Sequence, residues 1–457
     1  MQIEQTPTII QPESTPKEQN RIIKFFKHKN YLWPKIISGF LIVVLAVVGG
    51  YLFKTDKLQK FNLSKQDSYT VFIGEVYDTI KTNYWEKITD EQLTNIFVLA
   101  LEKVSSSVLP EPKPKDLKSF QNVFESALIK QDSNDKKEEF LVQISDMVLA
   151  NLQPFGRSRL YSQKQETDLK NKVENRNPEA DQYQILGVDK AASADDINKT
   201  YAQKTRELKN DQSPEAGQKL AALNQAYKTL SDADARKNYD ASGVEPTMES
   251  RLITPEIFYV KMSVFSPTMV EELLRVTTKV DKGDQLHALI LDLRGNVGGL
   301  IDGLPYFLGP FIGPDQYAYQ FFHQGEKKDF KTVVGWLPSM IRYKKVVILI
   351  DQNSQSSAEV MAATLKKYNV GVTVGTTTKG WGTVEKVFEL KNQVSEKNKY
   401  SVFLAHSLTL RDDGQPIESK GVDPAVSIKD KNWEQQLYRY YSYQPLVEAV
   451  KQVLSGK

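Results

Sequence analysis

Val346-Val347-Ile348-Leu349-Ile350 runs directly into Asp351-Gln352-Asn353-Ser354-Gln355-Ser356-Ser357-Ala358-Glu359, and this stretch decides the fold. The first five residues are an unbroken β-branched and aliphatic run, the pattern of a strand buried on both faces. Beyond the serines, apolar residues recur at Val360, Met361, Leu365 and Tyr368, the spacing of one helical face. A hydroxyl at such a strand-to-helix turn stands beside backbone N–H groups that have no partner inside the helix. Ser354, Ser356 or Ser357 can therefore serve as a nucleophile next to a ready oxyanion site. The same hydroxyls can equally cap the helix. A glycine-rich hairpin, Val374-Gly375-Thr376-Thr377-Thr378-Lys379-Gly380-Trp381-Gly382-Thr383-Val384, follows.

Upstream, Phe258 to Met262 reads as a strand, Ser266-Pro267 opens a helix with Met269, Val270, Leu273 and Leu274 inward, and Ala288 to Leu293 is a second buried strand. The latter feeds Arg294-Gly295-Asn296-Val297-Gly298-Gly299, whose glycines permit a tight turn with N–H groups facing a ligand oxygen. Strand and helix patterns alternate from Ile253 to Ile428, which indicates an α/β layer. The polar and aromatic stretch from Gln316 to Tyr343 is expected along a substrate groove. Val402 to Ala405, Asp412-Asp413-Gly414 and Gly421-Val422-Asp423-Pro424 follow in the sequence. A C-terminal helix over 429–457 carries Tyr438, Tyr441, Leu446, Val450 and Val453.

Together, the S-x-S-S-A-E turn, the glycine hairpin and the 291–299 loop resemble the C-terminal processing (tail-specific) peptidase family. The resemblance implies a tail-specific α/β peptidase core, a serine–lysine dyad, and protein substrates with apolar C-termini. It makes Ser356, three residues before Glu359, the nucleophile, and assigns oxyanion N–H groups to Gly298 (or its neighbour Gly299) and to Ser357. The position of the family lysine, however, is Trp381, between Gly380 and Gly382. An indole donates a hydrogen bond and accepts none. Lys379 lies two residues earlier, which along an extended strand means the same face about 7 Å away. It is a replacement base or, equally, a solvated hairpin lysine. Glu385, where the family often has glutamine, could orient an ammonium but would also favour its charged form. Two functions follow: a serine endopeptidase with Ser356 as nucleophile, or a catalytically impaired pseudopeptidase that binds C-termini or scaffolds partners.

The chain of 457 residues allows about three domains. Its net charge of +3 argues against a dedicated nucleic-acid surface, and the absence of cysteine excludes disulfides and thiolate metal sites. Four scattered histidines without an H-E-x-x-H pattern argue against a zinc peptidase, and no cofactor is expected. A basic tail over 1–35 precedes an uncharged run from Ile36 to Phe53, with Tyr31, Trp33 and Tyr51 at its ends. That run spans about 27 Å as a helix, enough for a transmembrane anchor. It competes with a cleaved signal peptide, but no small-x-small site follows it. The basic N-side predicts a plasma-membrane, single-pass protein with the N-terminus cytoplasmic and the bulk extracytoplasmic.

Residues 69–162 read as an all-α segment, with a capping box at Thr89-x-x-Gln92. Over 181–243, Tyr183-Gln184-Ile185-Leu186-Gly187-Val188, a capping box at Ser193-x-x-Asp196, a helix opened by Ser213-Pro214, and Ala235-Arg236-Lys237-Asn238-Tyr239-Asp240 resemble a J-domain, standing where the peptidase family places a PDZ domain. J-domains stimulate DnaK-type chaperones through His-Pro-Asp, and the matching residues are Lys209-Asn210-Asp211. The resemblance therefore implies no functional chaperone contact. It leaves a substrate-contacting or regulatory lid, an inert spacer, or, more weakly, a membrane-tethered co-chaperone.

Overall fold

The computed structural model describes residues 67–280 and 286–456. Its chain begins with four helices: α1 (Ser68–Asn83), α2 (Asp90–Ser105), α3 (Leu117–Leu128) and α4 (Asn134–Ala150). The Thr89 box caps α2, its hydroxyl accepting from Gln92 N–H while the Gln92 side chain accepts from Thr89 N–H. This satisfies two end groups that would otherwise lack partners. The apolar stripe Phe72, Ile73, Val76, Tyr77 and Ile80 is fully buried against Phe97, Phe120 and Phe124. The same core takes in Leu390, Val402 and Leu404, so the helices cover one face of a sheet and do not form a free-standing bundle.

That sheet contains β1 (Arg159–Ser162), β5 (Tyr317–His323), β6 (Glu326–Lys331), β9 (Thr383–Glu389) and the long β10 (Tyr400–Leu410), all antiparallel. The stretch expected along a groove is thus largely the β5–β6 hairpin at the sheet edge, and it contributes nothing to the cleft described below. His406 of β10 stacks on His323 of β5 with ring centroids 4.2 Å apart, and Lys386 Nζ lies 3.5 Å from its Nε2. Burial, then Lys386 and His323, hold the His406 pKa down to about 4. The unfolded chain protonates nearer 6.5, so acid favours unfolding first. Stability should be full above about pH 6.5 and fall by about 1–2 kcal/mol towards pH 4, after discounting for partial exposure. His406→Gln should flatten that slope in denaturant titrations; an unchanged slope would refute the assignment.

The second sheet has the order β11-β8-β7-β4-β3-β2. Its strands are β2 (Met248–Thr254), β3 (Ile257–Met262), β4 (Ala288–Asp292), β7 (Lys345–Ile350), β8 (Val372–Gly375) and β11 (Val426–Ser427). All pairs are parallel except β2 with β3. The period of two sends Val346, Ile348 and Ile350 to one core and Val347 and Leu349 to the other. The first core is covered by α10 (Met269–Val280), α11 (Leu304–Ile312) and α13 (Ser357–Lys367), with the short α12 (Pro338–Ile341) alongside.

The second core is closed by α14 (Trp433–Tyr441) and α15 (Gln444–Leu454). The single helix expected over 429–457 is therefore two. Ser442 turns the chain at φ 48°, Pro445 starts the next helix, and Tyr438 faces solvent.

In chain order β1 is followed by α5 (Gln163–Val173) and then by four helices that precede β2: α6 (Gln182–Leu186), α7 (Ala194–Asn210), α8 (Ala216–Leu230) and α9 (Ala233–Ser242). Their core is Tyr183, Leu186, Ile197, Leu223, Ala226 and Leu230. Ser213 and Pro214 lie in the turn before α8 and do not cap it; the Ser213 carbonyl instead accepts Ala216 N–H. Lys209 and Asn210 end α7, and Asp211 is its C-cap.

The module leaves and rejoins the chain at one point. Arg176 and Val244 form an antiparallel bridge, Glu245 N–H donates to Asn175 O at 3.0 Å, and Asn175 Nδ2 donates back to Glu245 O at 2.8 Å. The buried Glu245 carboxylate accepts from Gln182 and Gln225, while Asp232 pairs with Arg275 and Lys279 of α10. Among the described residues no helix is long and apolar enough to cross a membrane; the expected anchor over 36–53 lies outside them.

Candidate active site

Residue 356 sits at the end of the turn between β7 and α13 with φ 56° and ψ −125°. An L-residue keeps such a backbone only when its surroundings hold it, at about 1–3 kcal/mol. Here Gln355 N–H donates to Asn296 O at 2.9 Å, and Ser357 Oγ donates to Gly299 O at 3.0 Å. Ser356 N–H donates to Glu359 Oε2 at 2.9 Å. Ser354, by contrast, is fully buried, its hydroxyl donating to Leu293 O at 2.8 Å and accepting Asp351 N–H. Ser354 thus knits the turn together, and Ser356 is the serine that borders open space.

Glu359 organises the remainder. It is wholly buried, and its carboxylate accepts four hydrogen bonds. Oε1 takes Thr378 Oγ1 at 2.5 Å and Gly380 N–H at 2.7 Å; Oε2 takes Trp381 N–H at 2.7 Å besides Ser356 N–H. Burial pushes its pKa up, and these four donors oppose the shift. One carboxylate thereby fixes the serine turn to the 378–381 hairpin. The S-x-x-E spacing of a capping box was the only sequence signal that pointed to it.

The 294–299 loop approaches Ser356 closely: a Cβ built on Gly298 would lie 2.6 Å from the Ser356 Cβ. Gly298 N–H, however, donates to Asn296 Oδ1 at 2.8 Å. It is therefore not the free oxyanion donor expected at that position, because the side chain two residues earlier already engages it. Gly299, at φ 137° and tied to Ser357, is the loop glycine with an N–H available. Ser357 opens α13, so its own N–H has no partner within the helix.

Lys379 does not reach this site. Gly380 has φ 78°, so 379–381 is a turn and the same-face rule for strands does not apply. The Lys379 side chain is exposed, with Nζ 5.5 Å from the Trp381 ring centroid, and it does not line the cleft. The Trp381 indole, unlike Lys379, borders the same cleft as Ser356. Arg157 stacks over that ring at 3.5 Å from the centroid and donates to Glu418 Oε1 at 3.0 Å. On the indole edge, Nε1 donates to Glu385 Oε1 at 3.0 Å. Glu385 therefore orients an indole, since no ammonium is present for it to hold.

Ser356, Gly299, Trp381 and Glu385 border one cleft of about 450 Å³. Its apolar walls include Tyr161, Leu169, Leu300 and Phe403, with Lys172 and Arg159 among its polar residues. Among the described residues no three His, Asp or Glu side chains converge as a metal-holding group.

A strained serine at a strand-to-helix turn, packed against a glycine loop at the border of an apolar cleft, fits an acyl-transfer arrangement, and sequence comparison finds related proteins. Peptidase family S41 matches over 256–428, and the DnaJ domain matches over 181–240. Residues 256–428 are a peptidase family S41 domain. The chain is similar to the carboxy-terminal processing proteases CtpB and CtpA of Bacillus subtilis (strain 168). CtpB is 27% identical over 189 residues, 40% of this chain and 36% of CtpB. CtpA is 28% identical over 210 residues, 46% of this chain and 41% of CtpA. The chain thus matches well under half the length of each. The four-helix module is similar to the chaperone protein DnaJ of Roseobacter denitrificans, 44% identical over 66 residues, 14% of this chain and 17% of that protein. Among solved structures, the photosystem II D1 C-terminal processing protease aligns with TM-score 0.46 and 13% identity, covering 80% of this chain and 94% of that one.

Proposed function

We propose that this chain is a serine-type endopeptidase that takes an extended polypeptide tail into the cleft and is acylated on Ser356. The observation that carries the reading is the Ser356 turn itself: a backbone conformation of about 1–3 kcal/mol strain, held by hydrogen bonds to the 294–299 loop and to Glu359, with Ser357 tied to the neighbouring Gly299. The apolar walls suit tails ending in apolar side chains. The uncharged run over 36–53 supports tethering to the plasma membrane with the S41 domain outside. Surface proteolysis of intact cells that spares the S41 domain would refute that topology.

The test uses the full chain and an unstructured protein with an apolar C-terminus, alongside a fluorophosphonate probe. Cleavage and labelling are expected, both abolished by Ser356→Ala. One observation favours a second reading: the Trp381 indole stands where an amine was expected. Tail binding without cleavage or labelling would make the protein a pseudopeptidase that holds C-termini.

A further inference from the structure

The Ser356 hydroxyl needs a proton acceptor, and Lys379 of the hairpin, exposed and off the cleft, does not provide one. Of the ionisable side chains bordering the cleft, Arg159 has no acceptor. Lys172 and Asp302 are exposed, and burial keeps the Tyr161 phenol protonated by raising its pKa. Glu385 remains. It is half-buried, and its Oε1 is fixed by Thr383 Oγ1 at 2.6 Å and Trp381 Nε1 at 3.0 Å. Neither of these bonds uses Oε2.

We infer that Glu385 is the general base for Ser356, with the indole of Trp381 holding its carboxylate in the cleft. This rests on the peptidase reading above. In the first step the carboxylate takes the Oγ proton as the Oγ–carbon bond to the scissile carbonyl forms. The resulting carboxylic acid returns that proton to the departing nitrogen as the carbon–nitrogen bond breaks. In the second step the carboxylate takes a proton from water as its oxygen bonds to the acyl carbon, and that proton passes to Oγ as the Oγ–carbon bond breaks. Ser356 and Glu385 leave as they entered. A solvated carboxylate is a weak base, and one whose pKa lies nearer the working pH is a better one. Burial pushes Glu385 in that direction, against its bonds to Thr383 and Trp381 and the charge of Arg157. Arg157, Tyr161, Arg159 and Lys172 are the titratable or charged groups that neighbouring elements bring to it, and Glu418 partly neutralises Arg157.

The experiment compares the full chain with Glu385→Gln, Lys379→Ala and the double variant Trp381→Lys/Glu385→Gln, which installs an amine beside a neutral amide. Tail binding serves as the check that each is folded. Glu385→Gln should lower kcat/KM about 10²–10⁴-fold with KM little changed, slow fluorophosphonate labelling of Ser356, and remove the rise of kcat/KM with pH. The double variant should recover cleavage. Parental rate and pH profile in Glu385→Gln would overturn the inference, as would loss of cleavage in Lys379→Ala alone. A silent parent beside an active double variant would also overturn it, while leaving Ser356 competent. No cleavage or labelling in either would refute the peptidase reading, and this inference with it.

Discussion

Glu359→Ala should destabilise the S41 domain by about 3–5 kcal/mol, the range for removing one partner from a buried charged network. Four donors converge on that carboxylate from three places: the Ser356 turn, the Thr378 hydroxyl, and the amides of Gly380 and Trp381. Alanine leaves all of them without an acceptor around a position that is itself fully buried. Glutamine should do little better. Its single carbonyl oxygen serves one side, and its NH₂ turns donors against the backbone N–H on the other. Denaturant unfolding followed by tryptophan fluorescence reads the loss. Ser356 labelling should fall about 10²-fold even under conditions where the variant is folded, since the turn and hairpin no longer share an anchor. A Glu359→Gln protein of parental stability would show that the four bonds contribute no net stability.

Gly299→Ala should reduce acylation of Ser356 by about 10²–10³-fold, the effect of losing one oxyanion donor. At φ 137° an added Cβ lies 2.4 Å from the Phe265 carbonyl oxygen, so backbone on one side must move. Phe265 is held by its own N–H to Gly298 O, and its carbonyl accepts Leu300 N–H, which leaves the loop as the part that shifts. Gly295→Ala is the comparison. It too has positive φ, at 70°, yet nothing lies within 4 Å of its added Cβ. It should cost about 1–2 kcal/mol of stability and leave acylation near the parental rate. Equal losses in the two variants would trace the effect to general loop strain and remove Gly299 from the oxyanion site.

The strands at 346–350 and 288–292 were readable as continuous apolar runs because each is buried on both faces, and the serine turn was readable because hydroxyls, glutamate and apolar helix face occur at fixed spacing. The four-helix module was legible from the Ser193 capping box and from Tyr183, which packs in its core and donates to Asp240. What remained hidden depended on backbone direction. The i, i+2 reasoning for Lys379 assumed an extended chain, and Gly380 at φ 78° removes that premise. Gly298 and Gly299 look alike in sequence; only the position of Asn296 Oδ1 separates them. Arg157 lies over Trp381 across more than two hundred residues of chain, a pairing that no local pattern encodes.

The paired stem at Asn175–Arg176 and Val244–Glu245 has an evolutionary corollary. Because departure and return points already touch, a short bridge in their place would close a small loop, and loop closure depends only weakly on length. Insertion of the four helices at this point by one splice would therefore reroute neither sheet, and their excision would leave the rest of the chain path unchanged.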